Sequence, residues 1–78
     1  MIYIWVDFNY STILLPLNFE GSFDDIRRQS VELREGLRII VYDDQCQADA
    51  VVEKVQGEWW ARVISKIRNV DSEPGKPG

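Results

Sequence analysis

Asp43 and Asp44 stand side by side with Cys46 two positions on, and no other stretch comes closer to reactive chemistry. A general acid and base pair needs two carboxylates converging on one substrate, whereas neighbours on a turn point apart. Cys46 has no basic neighbour in sequence to favour its thiolate, so it reads as a small structural or surface thiol. The chain contains no histidine. That removes the imidazole base, the Ser-His and Cys-His nucleophile pairs and the usual partner of cysteine at zinc. Pro74-Gly75-Lys76 holds a Gly-Lys pair without the glycine spacing of a phosphate loop. No catalytic residue, cofactor or metal is therefore expected, and the chain reads as a binder rather than an enzyme.

Binding chemistry concentrates near the end of the chain. From Asp43 to Glu58 there are five acids and one base, Lys54, whereas Arg62, Lys66 and Arg68 form a small cationic run with Trp60 and Ile64 among them. Basic residues interleaved with aromatics can stack on nucleotides, which makes a nucleotide or RNA binder using Trp60, Arg62 and Lys66 one reading. The formal net charge of −4 disfavours a general nucleic-acid binder, because backbone affinity comes from clustered Lys and Arg. The leading expectation is an unidentified protein partner. Trp and Arg are enriched where protein interfaces concentrate their binding energy.

The elements that position these residues are legible from apolar periodicity. Leu37, Ile39 and Val41 share one face of a strand that Gly36 opens and Asp43-Asp44 closes. Ala48 to Val55 forms a second strand with imperfect alternation, where a bulge is possible. After a turn at Gln56-Gly57-Glu58, a third strand puts Trp59, Ala61 and Val63 on the core face and Trp60, Arg62 and Ile64 on the other. The predicted interaction surface is that second face, Trp60, Arg62 and Ile64, with Tyr42 from a neighbouring strand.

Upstream, Ile2 to Phe8 alternates with both faces largely apolar, and Thr12 to Phe19 follows with Pro16, which confines it to a sheet edge or a bulge. Asn9-Tyr10-Ser11 between them suggests a hairpin. Gly21 to Ser30 carries the helical signals: Ser22 as N-cap with Asp25 three residues on, acids in the first turn, Arg27 and Arg28 in the last, and Phe23 with Ile26 on the buried side. Two turns are marginal alone, so packing must hold them. One alternative to the exposed Trp60 surface follows from this helix: Phe23 and Ile26 covering Trp60 as a second small core.

A chain of 78 residues, 45% hydrophobic with three each of Trp, Tyr and Phe, is a single folded domain with little core to spare. Cys46 is the only cysteine, so no internal disulfide can reinforce it, and a homo-oligomer stays open. The opening apolar run is short and interrupted by Asp7, unlike an export signal or a membrane span, so a cytoplasmic protein is expected. Residues 1–70 are read as the domain and 71–78 as a disordered tail rich in Pro and Gly.

Leu33 to Val41 followed by Trp59-Trp60-Ala61-Arg62 resembles SH3-like barrels, in which a leucine and a Gly-led strand precede a Trp-Trp-x-Ala-Arg strand. Val6-Asp7-Phe8-Asn9-Tyr10 is similar to the aromatic start of those domains. The resemblance implies a small bent barrel and, by position, a polyproline-binding groove of Phe8, Tyr10 and Trp59. The Pro-x-x-Tyr strand that would complete such a groove is absent from the sequence. The expected fold is thus mainly β with one short helix, a highly bent five-stranded sheet or partly open SH3-like barrel in the order β-β-α-β-β-β. Its core should comprise Ile4, Val6, Leu15, Leu17, Ile26, Leu37, Ile39, Val41, Val52, Trp59, Ala61 and Val63.

Overall fold

The computed structural model describes residues 1–69. The expected tail, 71–78, and the domain boundary at residue 70 lie outside the described residues. The elements are β1 (Tyr3–Trp5), β2 (Leu14–Pro16), α1 (Glu20–Arg28), β3 (Arg38–Tyr42), β4 (Cys46–Val55), β5 (Glu58–Val63) and β6 (Arg68–Asn69). The expected element order holds through β5, and β6 is a short addition. Five strands form one mixed sheet in the order β1-β3-β4-β5-β2, which curls through 181° as a half-barrel. That shape is compatible with an SH3-like barrel.

The meander β3-β4-β5 is held by local turns. Gln56 and Gly57 both take positive φ, 51° and 81°, closing β4 onto β5 between Val55 and Glu58 in the primed turn that matches strand twist. At the other end Asp43 accepts the amides of Gln45 and Cys46 on Oδ1, at 2.9 and 2.8 Å. β4 has no bulge: its register runs unbroken against both neighbours. Ala48, Ala50 and Val52 all point inward and are fully buried. The imperfect alternation came from Val51 on the outer face. β4 is longer than β5, and β6 returns to pair with the remaining Cys46 and Gln47.

The expected hairpin of β1 and β2 does not form. β1 pairs with β3 in parallel, Tyr3 against Ile40, whereas β2 pairs with β5 antiparallel, Pro16 against Trp60. The Asp7 to Ser11 turn forms, with Asn9 N–H on Asp7 Oδ1 and Tyr10 N–H on the Asp7 carbonyl. It leads the chain to the opposite edge of the sheet rather than back along β1. Placing β1 and β2 at the two edges fits the requirement that Pro16 lie on an edge strand.

The core is the inner face of the curl. Ile4, Val6, Leu15, Leu17, Ile39, Val41, Val52 and Ala61 are buried as expected, while Ile26, Leu37, Trp59 and Val63 are only partly buried against them. The helix departs further from expectation. Its N-cap is Phe19, not Ser22, and Phe23 is 49% exposed. The side turned to the protein is polar: Ser22 and Asp25 are the buried residues of α1. Its C-terminus closes in a Schellman arrangement, with Ser30 in the left-handed region at φ 52° and the Val31 amide on the Ile26 carbonyl at 3.0 Å.

Candidate functional site

α1 lies along β1, and side chains of one helix face take up the backbone groups of β1 that point away from β3. Even-numbered residues bond toward β3, since the Ile40 amide meets the Ile2 carbonyl and the Val6 amide meets the Tyr42 carbonyl. Tyr3 and Trp5 therefore face the helix. The Gln29 carboxamide accepts the Tyr3 N–H at 3.1 Å and donates to the Tyr3 carbonyl at 2.6 Å. Asp25 Oδ2 accepts the Trp5 N–H at 2.9 Å, and the Ser22 hydroxyl donates to the Trp5 carbonyl. Gly21 permits this approach, because a Cβ there would stand 3.0 Å from the Trp5 ring.

Asp25 is the hub of this contact. Besides the Trp5 amide it accepts the Tyr42 hydroxyl at 2.7 Å and pairs with Arg28. Burial, and then the hydrogen bond to Asp25, push the Tyr42 hydroxyl above its ordinary pKa. Tyr42 also meets Tyr3 edge to face at 6.3 Å between ring centres. Tyr42 is thus engaged with the helix and β1. The structure does not join it to the other three expected site residues, because it sits on β3, opposite Gln47, while Trp60 and Arg62 sit opposite Glu53 and Val51.

Those three do share the outer face at the β5 end of the sheet. Trp60 is partly buried between Glu53 of β4 and Pro16 of β2, and its ring centre lies 6.3 Å from that of Tyr10. The residue packed on Trp60 is thus an aromatic of the β1–β2 loop, and the helix docks instead on β1. Tyr10 continues to Phe19, and Phe19 to Trp5, each in edge-to-face contact at 6.3 and 5.7 Å. Tyr10 is 58% exposed and Ile64 45% exposed; Ile13, 65% exposed, lies opposite Val63 and so shares the parity of the inner face. Sequence reasoning placed Tyr10 in a different groove and gave Ile13 no role at the surface.

Charge on this face is largely matched. Arg62 forms a two-point ion pair with Glu53, which holds the Glu53 carboxyl below its usual range. Arg68 lies 3.5 Å from Asp49. Lys66 is exposed beside them. Trp59, on the inner side of β5, has the Lys54 ammonium 5.1 Å from its ring centre. Phe8 is partly buried against the core. Tyr10 meets the rings of Phe19 and Trp60 rather than that of Trp59.

At the far end of the sheet Trp5, Asp7, Asn9, Asp43, Asp44 and Gln45 line a shallow depression. One oxygen of Asp7 and one of Asp43 accept turn amides, so these carboxylates serve the local backbone. Among the described residues no helix is long and apolar enough to cross a membrane. Comparison of the chain with protein-family models, curated proteins and solved structures returns no match.

Proposed function

We propose that this chain is a non-catalytic binding module that recognises another protein through the outer face of β5 and its β2 flank. The observation that carries the proposal is the Tyr10–Trp60 pair: two large aromatics in contact at the β5 end of the outer face, with Tyr10 exposed and Ile64 exposed just past the end of β5. Grouped exposed apolar side chains mark contact surfaces more often than isolated ones, and Trp and Tyr are favoured anchors. The Arg62–Glu53 pair would sit at the rim of the contact, giving specificity more than affinity.

With α1 docked, neither edge of the sheet is open to an added strand, which directs recognition of the partner to side chains. β1 is covered by α1. Along β2, residues 13 and 17 bond toward β5, so residues 14 and 16 point away; Pro16 has no amide, and the Leu14 amide is taken by the Ser11 hydroxyl at 3.3 Å.

Against the nucleotide or RNA reading, Arg62 already has a carboxylate partner in Glu53. A polyproline-binding module of SH3 type fits the half-barrel, but Tyr10 packs on Trp60 and Phe8 is turned into the core. The unpaired Cys46 suits the reducing cytoplasm that we propose as its compartment.

The test is Trp60→Ala, measured both for thermal stability and for capture of partners from native lysate. The expected result is a partner affinity weakened by about 2 kcal/mol or more. The fold should lose no more than about 1 kcal/mol. A loss of about 3–5 kcal/mol in stability would make Trp60 a core residue and end the surface assignment.

A further inference from the structure

The contact between α1 and β1 reproduces the bonds of a β-ladder. In an antiparallel pair, a hydrogen-bonded residue offers its neighbour one donor and one acceptor. Gln29 offers Tyr3 that combination from a single carboxamide, and Asp25 with Ser22 offers it to Trp5. The spacing agrees as well: four residues of helix from Asp25 to Gln29 rise about 6 Å. Two residues of strand from Trp5 to Tyr3 rise about 6.6 Å. The helix stands in for a strand.

We propose that α1 is a displaceable guard over a self-pairing edge, and that the occupant replacing it is β1 of a second copy, paired antiparallel about a two-fold axis at Ile4. The edge is self-complementary. Pairing centred on Ile4 sets Tyr3 opposite Trp5 of the second copy and Trp5 opposite its Tyr3. In each copy this satisfies the same four backbone groups that the helix now satisfies, the N–H and C=O of residues 3 and 5. It also places two aromatic cross-strand pairs on one face. The arrangement is closed, because the β2 edge presents no free amide at residues 14 and 16 with which a third copy could continue.

Displacement is within reach because the helix is docked by polar groups. Ser22 and Asp25 are its buried residues, and water can take over their hydrogen bonds. Ile26 is the one residue of α1 packed against the core, and it is only partly buried.

The experiment is sedimentation equilibrium of the whole chain over a range of concentrations, with hydrogen exchange at the Tyr3 and Trp5 amides, for the wild type, Gln29→Ala and Gln29→Ala/Tyr3→Pro. Gln29→Ala removes both bonds to Tyr3 and should raise the dimer association constant by about tenfold or more. The Tyr3 and Trp5 amides should be protected in the dimer. Adding Tyr3→Pro deletes an edge N–H and should restore the monomer. Association in Gln29→Ala no stronger than in the wild type would overturn the proposal: with both amides exchanging faster it would show an uncovered edge that does not self-pair, and with exchange unchanged a cover that is not displaced. A dimer that survives Tyr3→Pro would place association elsewhere and overturn it equally. If Gln29→Ala fails to fold, Gln29→Glu takes its place under the same criteria, since it keeps a helix-forming side chain and the acceptor but loses the donor to the Tyr3 carbonyl.

Discussion

The two edges of the sheet answer the same hazard in different ways. An edge strand exposes unpaired backbone groups that another chain can capture. At β2 the protection is built into the strand: it is three residues long, Pro16 lacks an amide, and Ser11 occupies that of Leu14. At β1 the amides of Tyr3 and Trp5 are intact and are met by side chains of a separate element. The first protection cannot be removed without changing the sequence, whereas the second lasts only while the helix stays docked. A short helix can thus serve as a cover for backbone, with a polar face inward and Phe23 turned to solvent.

Both edges depend on the shared inner face, so the largest effect lies there. Ile39, 2% exposed on β3, should cost about 2–5 kcal/mol when changed to Ala, and a thermal melt would register it as unfolding in a domain this small. Asp25→Ala comes next and bears on the β1 edge alone. It leaves the Trp5 amide and the Tyr42 hydroxyl without their acceptor, and a loss of about 1–3 kcal/mol in denaturant titration is expected.

The same edge should carry an alkaline signature. The folded pKa of Tyr42 is raised, so its contribution is fully present below the unfolded value of about 10 and is lost as pH rises through the folded pKa. Stability measured between about pH 9 and 11 should fall in the wild type and fall less in Tyr42→Phe. The smallest effect on stability belongs to the β2 edge: Pro16 is buried at the outermost strand, and Pro16→Ala, which trims little volume, should cost about 1 kcal/mol. It restores an outward amide, however, and light scattering should show more self-association than in the wild type. If Pro16→Ala stays as dispersed as the parent, proline is not what protects that edge.

What the sequence disclosed follows the range of the interactions concerned. β3 and β5 were legible because Ile39, Val41, Ala61 and their neighbours alternate with period two and are bounded by turn residues. Trp60 was placed on the outer face by the same alternation. In β4 the inward positions Ala48 and Ala50 are small, so the pattern was weak although the register is regular. The parallel pairing of β1 with β3 has no local signature, and the genuine turn at Asp7 to Ser11 imitated a hairpin. Ser22, Asp25 and Gln29 fall on one helix face, but polar residues on a docking face go against the usual pattern, so Ser22 read as a cap. Tyr42 alternates with the buried Val41, as a period of two requires. Its capture by Asp25 depends on where the helix lies, which local periodicity does not specify.

The parallel alignment of Tyr3 with Ile40 also sets an order of events during synthesis, because β1 is made thirty-seven positions before the strand it joins. The hairpins of β3, β4 and β5 close over short loops and can form as soon as their residues are available, whereas β1 must wait for a partner across a long intervening segment. Throughout that interval Ile-Tyr-Ile-Trp-Val is an apolar segment without its sheet, and Ile4 and Val6 stay without the core they later enter. The edge strand that α1 covers in the finished sheet is thus the one that joins last, after the meander it pairs with is complete.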